Sequence, residues 1–191
     1  MDAYGNLTSI DEFSGNKRIR LISYLDPDVA LGVFPPTPDS SGWSVAAVHR
    51  LSAGSGGQTL MRVNALGRSA FSLAWDGDTS QYLSWEGTAS DQLVLEQLTQ
   101  PQDGDHIAPP EFAVDFVEQC WFALNDPYHG AVVDISESGT GEGNPVISFS
   151  WNGGANQIWR AQWVDHPAAA ADDDEQRFVQ SAGKFAGQCQ P

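Results

Sequence analysis

Positive charge is scarce in this chain. Nine Lys and Arg stand against 25 Asp and Glu, a formal net charge of −16, and only Lys17 and Lys184 are lysines. A surface this acidic repels phosphate backbones and anionic headgroups, which argues against nucleic-acid binding and charge-driven membrane association. Cysteine is also scarce. Cys120 and Cys189 do not make a disulfide framework or a CxxC metal motif, and whether they pair stays open. No run of 18 apolar residues offers a membrane span. The opening MDAYGNLTSIDEFSGNKRIR has an acidic second residue and no apolar segment, unlike a signal peptide. That points to a cytoplasmic location, or to export by a route without a signal peptide. His49, His106, His129 and His166 are dispersed without paired spacing, and no Gly-x-Ser-x-Gly elbow occurs. The acidic turns at Asp26, Asp76 and Asp103 do not continue into a calcium loop. The expectation is a protein without cofactor, metal or catalytic role.

What is present suits a packed β domain. Hydrophobic residues make up 41% and charged residues 18%, enough apolar material for a core. Gly (19), Pro (11) and Trp (7) are plentiful, a turn-rich and aromatic composition. Three segments share one pattern: RLISYLDPDVALGV from Arg20, FSLAWDGDTSQYLSW from Phe71 and CWFALNDPYHGAVVDI from Cys120. Each is an apolar stretch, an Asp-rich turn and a second apolar stretch, with Asp26, Asp76 and Asp126 fifty residues apart. Asp-Pro and Asp-Gly are turn chemistry, so the segments read as three related β-hairpins. A third strand follows in each unit, over Trp43–Leu51, Gln92–Leu98 and Pro145–Trp151. A fourth follows over Gln58–Val63, Phe112–Val117 and Gln157–Val164, with Leu60, Phe112 and Trp159 at matching places and Phe116 matching Trp163.

Three units of four strands predict an all-β fold, a β-trefoil. A propeller blade has the same strand count, but propellers need four or more blades. The predicted organisation is an N-terminal segment over residues 1–16, a trefoil over 17–165 with repeats at about 17–66, 67–117 and 118–165, and an acidic C-terminal extension over 166–191 that could include a short helix.

The third unit carries the most specific pattern. It reads Val133-Asp134-Ile135, a glycine-rich turn to Gly143-Asn144-Pro145-Val146, then Asn152-Gly153-Gly154-Ala155-Asn156-Gln157-Ile158-Trp159. This resembles the ricin-B-type (R-type) lectin repeat with its Gln-x-Trp signature. The resemblance implies sugar binding, with galactose and N-acetylgalactosamine as the usual ligands. It also implies polar contacts from Asp134, Asn156 and Gln157, a stacking aromatic at Phe149 with Trp151 as second choice, and Trp159 in the core. His129, in the Asp126 turn, could line the pocket. The chemistry agrees with such a role. A carboxylate accepts hydroxyl hydrogen bonds, an amide donates and accepts, and an aromatic face covers a patch of C–H bonds. A charge inside the apolar VVDI strand is costly unless it faces outward, so Asp134 is expected on an exposed face.

The other repeats depart from the pattern. Ser84 and Gly32 stand where Asp134 stands, and Gln-x-Trp has become Gln58-Thr59-Leu60 and Glu111-Phe112-Ala113. One intact site per chain is expected, with glycans or glycoproteins as partners and oligomerisation as one route to avidity. The competing expectation is a protein-binding trefoil, a protease inhibitor or toxin-associated subunit, using the turn Phe34–Pro38 and the loop Gln100–Pro110.

Overall fold

The computed structural model describes residues 1–2, 5–34, 43–49, 59–67, 69–85, 91–98 and 108–165. The first repeat supplies β1 (Arg18–Ser23), β2 (Val29–Phe34), β3 (Ser44–His49) and β4 (Leu60–Ala65). The second supplies β5 (Phe71–Trp75), β6 (Asp78–Ser84), β7 (Val94–Gln97) and β8 (Ala113–Phe116). The third supplies β9 (Phe122–Asn125), β10 (Ala131–Ile135), β11 (Val146–Ser150) and β12 (Trp159–Trp163).

Six strands close on themselves. β1 pairs with β12 and β4, and β4 pairs with β5. Phe71 of β5 bridges to Phe112, next to β8. β8 pairs with β9, and β9 returns to β12. Closure removes sheet edges from the barrel. The other six strands form hairpins β2–β3, β6–β7 and β10–β11. Ser44↔Val94, Ala46↔Pro145 and Gln92↔Ile147 tie these three hairpins to one another in a triangular cap. The fold is a β-trefoil.

The aspartate turns join antiparallel strand pairs, as expected, and β5 and β6 pair at Ala74↔Tyr82 and Trp75↔Asp78. β1 and β2 pair at Ile22↔Ala30 alone, and β9 and β10 at Val132↔Asn125 alone. These strands do not form long hairpins, because the first of each pair belongs to the barrel and the second to the cap. The turns are corners between the two layers. Asp126 Oδ1 accepts the backbone N–H groups of Tyr128 (2.7 Å) and His129 (3.2 Å), and Asp26 Oδ1 accepts that of Asp28 (2.9 Å). Asp76 instead pairs with Arg62 at 2.6 Å and Arg18 at 3.5 Å.

The barrel interior is built from Leu21, Met61, Val63, Phe71, Leu73, Phe112, Phe122, Trp159 and Ala161, all essentially buried. In β4 the core position falls to Met61, and Leu60 is only partly buried, one residue away from the predicted match with Trp159 and Phe112. Phe116 and Trp163, at matching places in the last two units, are partly buried and pack against the core. The described part of the N-terminal segment packs on the barrel. Leu7 donates its N–H to Ala161 at 2.9 Å, and Asn6 bridges to Gln162. Phe13 stacks on Phe71 with ring centroids 4.6 Å apart and meets Phe122 edge-on at 5.4 Å. The C-terminal extension, including Cys189 and the predicted helix, lies outside the described residues.

Candidate functional site

The β10–β11 hairpin sets the site. Its register pairs Asp134 with Ile147 and Val132 with Phe149. Cross-strand partners share a face, so Asp134, Ile147, Val132 and Phe149 all lie on one side and Val133 and Ile135 on the other. Val133 and Ile135 are fully buried in the core, which puts Asp134 and Phe149 on the outward face. Phe149 is 36% exposed and Trp151, two residues on, is 44% exposed.

Asp134 itself is only 3% exposed, where an exposed carboxylate was expected. The segment from Asn152 to Gln157 folds over it. Gly153, at φ +77°, takes a backbone conformation that suits glycine, and Asn152 Oδ1 accepts the N–H of Gly154 at 2.8 Å. A short 3₁₀ turn over Ala155–Gln157 then delivers both amides. Asn156 Nδ2 donates to Asp134 Oδ1 at 2.8 Å and to the Ile135 carbonyl at 3.1 Å. Gln157 Nε2 donates to Asp134 Oδ2 at 2.7 Å and to the Ser150 carbonyl at 2.9 Å, while its Oε1 accepts the Asn152 N–H at 2.8 Å. Burial raises the Asp134 carboxyl above its ordinary range, and the hydrogen bonds from Gln157 and Asn156 pull it part of the way back.

The chemistry of this cluster is one-sided. Both N–H bonds of each amide are accounted for by Asp134 and backbone carbonyls. Gln157 is fully buried and its three contacts hold the loop and the carboxylate together. Each carboxylate oxygen accepts one amide and keeps capacity for a second donor. The cluster therefore presents acceptors, at Asp134 and at Asn156 Oδ1, beside the half-exposed ring of Phe149.

His129 is tied to its own corner. Its side chain is 80% exposed and its Nδ1 lies 2.6 Å from Asp126 Oδ2. Trp159 is core as predicted, and its Nε1–H donates to the Val133 carbonyl at 2.9 Å, under Asp134. Ile147, directly opposite Asp134, was missed, and only the strand register reveals it. In the second repeat Ser84 is 6% exposed and donates to Glu96 Oε2 at 2.9 Å. Residues 35–38 and 100–107 of the loops considered for protease inhibition, and His106 and His166, fall outside the described residues.

No family model and no curated protein matches the chain. Solved structures do match. A designed three-fold symmetric protein, ThreeFoil, superposes with a TM-score of 0.61 at 20% identity, over 76% of this chain and 97% of that one. The Macrolepiota procera ricin B-like lectin, solved in complex with lactose, gives 0.61 at 19% identity, over 78% of this chain and 96% of that one. A mosquitocidal holotoxin gives 0.63 at 11% identity, over 80% of this chain but 18% of the holotoxin. The likeness is one of fold.

Proposed function

We propose that the chain is a carbohydrate-binding protein without catalytic role, with a single site of the R-type kind in the third repeat. One observation carries this reading. Both oxygens of the Asp134 carboxylate are held by side-chain amides, from Asn156 and Gln157, on the face that also carries Phe149. A buried, hydrogen-bonded carboxylate kept beside a half-exposed aromatic ring suits a ligand with hydroxyl donors on one side and C–H bonds on another. In this arrangement Asp134 accepts two sugar hydroxyls, Asn156 Oδ1 accepts a third, and Phe149 covers the sugar ring, with Trp151 flanking it. Gln157 positions the carboxylate and does not itself touch the sugar. The shared fold of a lactose-bound lectin supports galactose- or N-acetylgalactosamine-type glycans as ligands.

A single shallow site of this kind binds a monosaccharide with a Kd of about 0.1–1 mM, or about −4 to −5.5 kcal/mol. Strong attachment to a glycoprotein then needs several sites, from oligomerisation or from fusion to another module. A glycan array tests the reading. Signals on galactosides or N-acetylgalactosaminides are the expected result; silence across all common glycans contradicts it.

A further inference from the structure

A second cluster lies apart from Asp134 and shares no residue with it. Tyr24, Val117, Glu118, Trp121 and Ile158 line a shallow cleft on the barrel. Tyr24 follows β1, Val117 and Glu118 follow β8, and Trp121 and Ile158 precede β9 and β12. Backbone bonds brace it: Tyr24 N–H donates to the Ile158 carbonyl at 2.9 Å, and Val117 N–H to the Trp121 carbonyl at 2.9 Å. Tyr24 meets Trp121 edge-on, ring centroids 5.0 Å apart, yet stays 39% exposed, and Val117 is 48% exposed. Trp121 is 7% exposed, and its buried Nε1–H has no acceptor among the described residues. A buried donor without a partner is destabilising, a cost that a bound acceptor relieves.

The surroundings narrow the ligand. An anion meets the Glu118 carboxylate and a net charge of −16. A cation on Trp121 meets the Arg160 guanidinium, which already lies 5.4 Å from that ring. A neutral group remains. It needs an acceptor for the indole N–H, a donor for Glu118 and an apolar patch for Tyr24 and Val117. The geometry points to a second binding site in this cleft, for the ring of one neutral sugar unit. Glu118 is exposed at the rim, and among the described residues no side-chain amide is seen to hold it as Asn156 and Gln157 hold Asp134. The cleft is accordingly the weaker site, with a Kd on the order of 10 mM.

The test uses the full chain carrying Asp134→Asn, which disables the third-repeat site, so either proposal can fail alone. The tryptophan indole N–H signals are followed by NMR while methyl β-galactoside, N-acetylglucosamine and methyl α-mannoside are added in turn. The Trp121 signal is assigned by its loss in Trp121→Phe. At least one sugar should shift that signal saturably, and Tyr24→Ala or Glu118→Gln should weaken the effect about tenfold. The proposal is overturned if none of the three sugars moves the Trp121 signal, or if Tyr24→Ala and Glu118→Gln leave the response unchanged.

Discussion

Asn156 reaches back 22 residues along the chain to place its Nδ2 2.8 Å from Asp134 Oδ1. The bond ties the loop before β12 to the outward face of β10 and covers a carboxylate that would otherwise stand alone on an apolar strand. The fold and the site meet in this contact.

Its dependence on the glycine turn is testable. A Cβ on Gly154 would collide with Asn156 Oδ1 and sit 2.8 Å from Asn152 Oδ1. Gly154→Ala must push the Asn156 amide aside and break its bonds to Asp134 and the Ile135 carbonyl. Sugar affinity should fall at least tenfold, with a stability loss of about 1–3 kcal/mol. Calorimetric titration and urea unfolding of the variant would check both; an unchanged affinity would show that Asn156 does not shape the site.

Much of this was legible in the sequence, and the exceptions have physical reasons. The fifty-residue spacing of Asp26, Asp76 and Asp126 located the three strand pairs that join barrel and cap, and apolar alternation located the other six strands. It could not show that Asp76 pairs with Arg62 and Arg18 where Asp26 and Asp126 cap their own turns, because those arginines lie on other strands. The matching of Leu60 to Trp159 was off by one residue, since Met61 next to it is apolar too and a short strand does not fix its own register. The burial of Asp134 was hidden because the covering amides come from a loop beyond the next strand. Phe13 was assigned to an N-terminal segment outside the trefoil, since nothing local in that segment announces an aromatic plug.

Removing that plug should be costly. Phe13→Ala leaves the ring space between Phe71 and Phe122 empty and should destabilise the fold by about 3–5 kcal/mol. Chemical denaturation would measure it. A loss under about 0.5 kcal/mol would mean that residues 1–16 do not contribute to the core.

Phe149 should behave in the opposite way. It is 36% exposed, so Phe149→Ala should leave the stability within about 0.5 kcal/mol of the parent. Sugar binding should nonetheless weaken by about 1 kcal/mol, roughly fivefold. Unchanged binding would move the stacking role to Trp151.

Acidity should affect binding and stability with opposite signs. Because burial raises the Asp134 carboxyl above the ordinary 3.8, the folded state favours its protonated form. Its contribution to stability is therefore full below the ordinary carboxylate range and is lost as pH rises through the raised folded value. Sugar binding needs the carboxylate, so it should appear over the same rise in pH. Unfolding free energies of the parent and Asp134→Asn, measured from pH 3 to 8, should diverge in the variant's favour as pH increases. The divergence should grow by at most about 1.4 kcal/mol for each step of one in pH, the slope that a single proton gives. Parallel curves would show that the carboxyl titrates normally in the fold.

The central claim rests on Asp134, and calorimetric titration with lactose tests it most directly. Comparing the parent, Ser84→Ala and Asp134→Ala at lactose concentrations of about 0.1–1 mM keeps the weaker cleft below about one-tenth occupied. Ser84 donates to Glu96 in another repeat, so that variant should bind like the parent. Asp134→Ala should lose about 2–4 kcal/mol, which leaves no detectable heat, while still unfolding cooperatively. A folded Asp134→Ala protein that binds lactose as the parent does would contradict the account.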